Sequence, residues 1–370
     1  MKVAIIDADL IGRKKHKFPN LACMKMSSYY KSKGYDVVLK TDYFNLDEYD
    51  LIKISKVFTD TYIDDNILKL SNVEYGGTGF YFDKAPNLPE EIEHSFPDYH
   101  LYDLWINEQI QKGSKRNEFK EYLDYSIGFL TRGCFRKCKF CVNQKYDRVF
   151  KHSPLDEFYD PNRKKICLLD DNFLGCPNWK EMLQELIDTG KPFKFKQGLD
   201  ERLLTDEKCK ILFNAKYDGN ITFAFDKITD YELIHKQLKL IRKHTNKQIM
   251  FYVLCGFDET KKYDHNFWIK DIFDTFKRIE LLMKYKCLPY IMRFNKYEKS
   301  PYRGMYINLA GWCNQPSLFK KKSFSEWVAL TGKDSAAEKY FKLFKKDNGD
   351  SHYFYIKYTT ENNYEWGEDL

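Results

Sequence analysis

Three cysteines crowd into eight residues of this 370-residue chain. The text Thr131-Arg-Gly-Cys134-Phe-Arg-Lys-Cys138-Lys-Phe-Cys141-Val-Asn has the spacing Cys-x3-Cys-x2-Cys. Three thiolates on one loop can each bind a corner of a cuboidal iron–sulfur cluster. They cannot close a tetrahedral zinc site without a distant fourth ligand. No fourth cysteine follows nearby, as it would in a ferredoxin, so one iron is left open to a small molecule. Arg132, Arg136, Lys137 and Lys139 offset the negative charge of thiolates and cluster. The competing reading of the same residues is a zinc or redox cysteine cluster in a non-enzymatic module. The other seven cysteines are scattered and read as small buried hydrophobes. Disulfides are rare in the reducing compartment that the rest of the sequence suggests.

The elements that must position this loop read as two βα series. In residues 1–105, Val3–Ile6 is a buried-strand run and Leu21–Lys33 has helical apolar spacing ending at Gly34. Val37–Leu39 and Leu51–Ile54 are further strands, with Val57–Phe58 continuing the apolar pattern. The expected fold is a doubly wound, Rossmann-like parallel sheet. Gly76-Gly77-Thr78-Gly79 reads as a plain tight turn, and Ala85–His100, rich in Pro and acids, as a connecting loop. Residues 106–124 read as a polar helical linker. Six strands then follow at Tyr125–Leu130, Ile166–Leu169, Phe193–Gln197, Ile221–Phe225, Ile249–Leu254 and Pro289–Phe294. Helices are expected at Trp179–Thr189, Asp206–Ala215, Asp230–His244 and Phe267–Lys284. Residues 125–298 thus predict an α/β partial (β/α)6 TIM-type barrel, and residues 299–370 a C-terminal extension with an irregular acidic end.

The Cys-x3-Cys-x-aromatic-Cys pattern, in a loop after the first strand of such a series, resembles the radical S-adenosylmethionine (SAM) superfamily. The resemblance covers about residues 122–297. It implies that Cys134, Cys138 and Cys141 hold an oxygen-sensitive [4Fe–4S] cluster whose open iron takes the methionyl end of SAM. It further implies reductive cleavage of SAM to a 5′-deoxyadenosyl radical, hydrogen abstraction from a substrate, and an electron donor such as flavodoxin or ferredoxin. Phe140 falls where the family places an aromatic near the adenine. Asp170 or Asp171, after the second strand, matches the position of a Glu that binds the SAM amino group; a turn acid is the alternative. Gln197 and Arg202, after the third strand, are candidates for the SAM ribose and carboxylate, and Asp226 ends the fourth strand similarly. Tyr252-Val-Leu254-Cys-Gly256-Phe-Asp-Glu259 resembles the family's Gly-x-Ile-x-Gly-x-x-Glu adenine motif through Leu254 and Gly256, with Tyr252 in place of the first Gly. Some members keep a cysteine over the site as hydrogen donor or methyl carrier. Cys313, between Trp312 and Asn314, suits that role; a buried structural thiol is the alternative.

The front unit resembles the cobalamin-binding branch of the superfamily, where Asp-x-His-x-x-Gly follows the first strand. Here the text is Asp7-Ala-Asp9-Leu-Ile-Gly12, with Asp9 in place of the cobalt-ligating His. A carboxylate is a poor substitute for imidazole at cobalt. The expectation is therefore a related sheet without histidine-held cobalamin, and a cobalamin-dependent methylase is the second reading.

Composition bounds the rest. Apolar residues are 43% and charged residues 31%, with a net charge of +7, so a disordered chain or a fibre is excluded. No apolar run is long enough to span a membrane, and the start lacks a signal-peptide pattern, which predicts a cytoplasmic chain. The positive charge, the 17% aromatic content, and Lys320–Lys322 flanked by Phe319 and Phe324 favour a nucleic acid, nucleotide or other phosphorylated substrate. Lys339, Lys342, Lys345 and Lys346 add a basic stretch. A small metabolite or peptide is the alternative, because an AT-rich genome explains the same composition.

Overall fold

The computed structural model describes residues 1–13 and 16–358. The acidic end expected after residue 358 lies outside the described residues. The chain divides into two compact units, Met1–Gln197 and Gly198 onward.

The first unit opens with a sheet of β1 (Lys2–Asp7), β2 (Asp36–Lys40), β3 (Leu51–Ser55) and β4 (Val73–Gly76), in the order β2-β1-β3-β4. All three pairings are parallel, as the doubly wound expectation required. Val3 and Ile5 enter one buried cluster, with Cys23 and Met24. Ala4 and Ile6 enter another, with Ile52 and Ile54. Successive strand residues point to opposite faces. A strand covered on both faces therefore reads as an unbroken apolar run. The helix Leu21–Ser32 starts where the Asn20 side chain accepts the Cys23 N–H and stops before Gly34, at φ 78°.

Two expectations fail here. Gly76–Gly79 is no plain turn: β4 ends at Gly76 and one helical turn, Thr78–Tyr81, follows. Gly77 sits at φ 109°, and a Cβ there would stand 2.3 Å from the Lys56 carbonyl oxygen. Residues 106–124 are not a bare linker either. Ile106, Phe119 and Tyr122 are buried with Val3 and Ile5, so this segment is part of the front core.

The same unit continues through β5 (Tyr125–Gly128), the short antiparallel pair β6 (Thr131–Arg132) and β7 (Phe150–Lys151), then β8 (Lys165–Leu168) and β9 (Phe193–Phe195). β5, β8 and β9 form a three-stranded parallel sheet. The unit boundary after Gln197 falls inside the expected 125–298 domain. The physical reason is a set of buried bonds that tie this sheet to the front core. The Tyr99 hydroxyl accepts the Ile127 N–H at 2.8 Å and donates to the Phe158 carbonyl at 2.5 Å. Buried Arg163 donates to the carbonyls of Tyr99, Tyr122 and Tyr125.

The second unit holds β10 (Ile221–Ala224), β11 (Ile249–Cys255) and β12 (Leu288–Arg293), a parallel sheet in that order. Its helices Asp206–Asn214, Tyr231–His244 and His265–Lys284 match the expected segments to within two residues. The C-terminal region is more regular than expected, with helices Arg303–Cys313, Phe324–Leu330 and Ala336–Asn348. They pack on aromatic residues: Trp312, Phe319, Phe324, Phe344 and Phe354 have no exposed surface. No helix of the described residues is long and apolar enough to cross a membrane.

Candidate functional site

The three cysteines lie on the loop that joins β6 to β7, so the ribbon Thr131↔Lys151 and Arg132↔Phe150 closes its base. Gly133 starts the loop at φ 89°, and a Cβ there would come within 2.3 Å of the Arg148 carbonyl oxygen. Only glycine permits that turn at that approach. Cys134, Cys138 and Cys141 are all partly exposed. The backbone N–H of Arg136 and the side-chain amide of Asn172 each donate to Cys134 Sγ at 3.4 Å, and the Asn143 N–H donates to Cys141 Sγ at 3.4 Å. Donors aimed at sulfur tune a cluster held by it. Among the described residues, no three His, Cys, Asp or Glu side chains converge as the ligands of one metal ion do.

The end of β8 grips this loop. Buried Asp170 accepts the Thr131 N–H at 2.7 Å and hydroxyl at 2.6 Å, and the Leu130 N–H at 3.2 Å. Burial pushes its carboxyl up to about 7, against the lowering pull of those donors. Asp171 accepts the Gly133 N–H at 2.8 Å with one oxygen and the Asn143 side-chain amide at 2.6 Å with the other. Burial raises it too. One carboxylate thus joins the residue before Cys134 to the second residue after Cys141. Both acids, expected near a SAM amino group, are bonded into the loop's base. Phe140 lies on the same loop and is half-buried. Asn143 and Asn172 were not singled out from sequence; their only signal is proximity to Cys141 and to Asp171.

The remaining candidates fall elsewhere. Gln197 is exposed at the end of the first unit. In the second unit Arg202 donates to Asp200 at 2.7 Å and Asp230 at 3.3 Å, so its guanidinium already faces two carboxylates. Buried Glu201, which sequence reasoning passed over, accepts the Ala224 N–H, and burial pushes it up to about 8. Asp226 accepts the Leu254 N–H at 3.3 Å, and desolvation pushes it up to about 6 despite the Arg278 charge. Arg278 donates to the carbonyls of Phe225, Asp226 and Leu254, which brings the candidates Asp226 and Leu254 together. Gly256, at φ 76°, donates its N–H to Asp271. Cys313 is buried in its helix, and burial raises its thiol well above the ordinary range.

At the front sheet, Asp9 is buried and engaged. Its oxygens accept the Val57 N–H at 2.7 Å and the Thr61 hydroxyl at 2.5 Å. The motif position itself is Asp, so the residues present do not fit a cobalamin held by the motif's histidine. Its neighbour Asp7 accepts the Tyr102 hydroxyl at 2.8 Å and two backbone N–H groups. Burial nonetheless pushes Asp7 from 3.8 up to about 7. Between those values the folded chain keeps a proton that the unfolded chain has lost. The stability this gives is full below about 4 and is lost as pH rises through about 7. We expect the thermal unfolding midpoint to fall between about pH 4 and pH 7, and Asp7→Asn, neutral throughout, to reduce that fall. Melting curves of the two proteins across that range check it; parallel pH profiles would contradict it.

No protein-family model matches the chain, and no curated protein matches it. Solved structures similar to it include three of the cobalamin-dependent S-adenosylmethionine radical enzyme OxsB. With aqua-cobalamin bound, the identity is 13% over 79% of this chain and 49% of that one, at a TM-score of 0.34. With aqua-cobalamin and S-adenosylmethionine, it is 14% over 94% and 56%, at 0.33. The apo form gives 17% over 79% and 49%, at 0.37. The chain spans about half the length of these structures.

Proposed function

We propose that this chain is a radical SAM enzyme whose cluster is held by Cys134, Cys138 and Cys141. The observation that carries the reading is the three-cysteine loop, closed by a ribbon, with N–H donors already aimed at two of its sulfurs. Three thiolates that each serve a different iron need not converge on one point, whereas zinc ligands must. When bound, a [4Fe–4S] cluster and SAM supply reductive cleavage to methionine and a 5′-deoxyadenosyl radical, which takes a hydrogen atom from the substrate. The chain's own residues bind and orient. The cysteines hold three corners, Asp170 and Asp171 fix the loop that carries them, and Phe140 stands ready for the adenine. This reading keeps the partial (β/α)6 barrel over residues 125–298 that the family resemblance implies. Gln197, Arg202, Asp226, Leu254 and Gly256 then serve SAM from the strand ends, Cys313 is at most a hydrogen donor, and flavodoxin or ferredoxin supplies the electron. Asp9, where the cobalamin branch has its cobalt-ligating histidine, is already bonded to Val57 and Thr61.

Anaerobic reconstitution with iron and sulfide, then dithionite and SAM, tests the reading. The expected product is 5′-deoxyadenosine; one zinc per chain and no product would end it.

For the substrate, we infer a phosphorylated compound, with charge rather than stacking as the means of contact. Phe319 and Phe324 are buried in the C-terminal core, which removes the aromatic half of the expected nucleic-acid patch. Lys320–Lys322 remain at least partly exposed. Charge reversal of all three to Glu is expected to lower oligonucleotide affinity and flatten its log–log salt slope by about 3. SAM cleavage without substrate should not change. Wild-type protein that binds no oligonucleotide at low salt would leave a small molecule as the substrate.

A further inference from the structure

Residues 85–100 read from sequence as a connecting loop, yet the structure bonds them on both sides along their length. On one side lies the front core. Asp98 accepts from Ser27 and Lys31 at 2.7 Å each, and its N–H donates to the Met24 carbonyl. Ile92 is buried in the front cluster. On the other side lies the cysteine ribbon. Lys145, within the loop, donates to the Ala85 carbonyl at 2.9 Å and to Asn87 Oδ1 at 2.7 Å.

The strongest of these ties is at Glu93. A single oxygen, Oε1, faces three cationic or proton-donating groups: Arg132 at 2.9 Å, His152 at 3.0 Å and Lys25 at 3.5 Å. Arg132 is on β6 and His152 directly follows β7, so the carboxylate holds both strands of the ribbon that carries the cysteines. Lys25 comes from the front helix Leu21–Ser32 and also donates to the Glu93 carbonyl. Glu93 and Lys25 side chains are 12% and 6% exposed, so water screens the pair little. Burial alone would raise the Glu93 carboxyl. The His152 bond and the charges of Lys25 and Arg132 outweigh burial and hold it down at about 2. The Arg132 guanidinium also lies 3.4 Å over the Phe129 ring.

We propose that residues 85–99 are a strap that positions the cysteine loop from the front core, with Glu93 as its anchor, an inference that rests on the cluster reading above. Glu93 is a positioning residue: it acts on the loop through Arg132 and His152. Losing one partner of a buried ion pair leaves the others uncompensated, so the effect is large. It also makes the front sheet part of the cluster site rather than a detachable module.

Hydrogen–deuterium exchange on the full-length apo-protein tests the strap without any cluster. In Glu93→Gln, exchange across 131–151 is expected to rise about tenfold while β1 and β3 stay protected. Glu93→Asp should restore part of the protection. Should Glu93→Gln not fold, Asn87→Ala removes one of the two Lys145 bonds, leaving that to the Ala85 carbonyl, and is expected to raise exchange across the loop about threefold. Unchanged exchange in the folded variants overturns the proposal. In reconstituted protein, Glu93→Gln removes a negative charge beside Arg132 and Lys25. The cluster's midpoint potential should therefore move positive, while Glu93→Asp, which keeps the charge, should leave it near the wild-type value. An unmoved potential would reduce Glu93 to scaffold and overturn its positioning role. If the wild type assembles no cluster but exchange responds as described, the cluster reading fails and the strap stands.

Discussion

Alanine at any one of Cys134, Cys138 or Cys141 is expected to leave a folded protein that makes no 5′-deoxyadenosine. A cluster with one iron reserved for a small molecule has no spare protein ligand, so the loss is complete rather than graded. Iron should drop from about four per chain in the reconstituted wild type to less than one. The fold should survive, because the three side chains are partly exposed on a loop and the β5-β8-β9 sheet beneath it is packed without them. Iron and sulfide analysis, circular dichroism and product assay on each variant check this together. A single alanine variant that retains product would show that the loop is not the cluster's holder.

Asp171→Ala should have the next largest effect. It removes two bonds to a carboxylate, from Gly133 and Asn143, that close the loop across all three cysteines. Hydrogen bonds to a charged group contribute about 1.5–3 kcal/mol each, so losing both should shift the equilibrium away from the preformed loop by about a hundredfold or more. Cluster assembly should slow accordingly, and alkylation of the loop cysteines in apo-protein should accelerate. Asp171→Asn keeps an oxygen for one of the two donors and should lie in between. If Asp171→Ala assembles its cluster at the wild-type rate but no longer binds SAM, the carboxylate belongs to the ligand, as the family resemblance implies.

Much of this was legible in the sequence. Buried parallel strands such as Val3–Ile6 and Ile249–Leu254 announce themselves because both their faces are apolar, and Asn20 and Gly34 are local signals for the helix they bound. β4 was not legible. It is an edge strand whose Glu74 and Tyr75 face solvent, so its text, Val-Glu-Tyr-Gly, carries no core pattern. The β6–β7 pair was not legible either, since two residues per strand leave no periodicity to read. The segment 106–124 looked like a linker because its buried residues are few, and what they bury against lies about a hundred residues away. The cysteines were found by their spacing. Their supports, Asn143, Asn172 and Glu93, were not, because a bond between residues 28 to 59 positions apart leaves no trace in either local stretch.

The burial of the other seven cysteines has a practical side. Cys23, Cys167, Cys176, Cys209, Cys255, Cys287 and Cys313 are all within the core, and burial raises the thiols of Cys23, Cys176, Cys209, Cys255, Cys287 and Cys313. Thiolate, not thiol, is what electrophiles and oxidants attack. The chain is therefore insulated at seven sulfurs and exposed at three, all on one loop. A maleimide applied to the folded molecule would report on that loop alone, so the protein carries a built-in gauge of whether its cysteines are engaged, with no need to engineer a silent background.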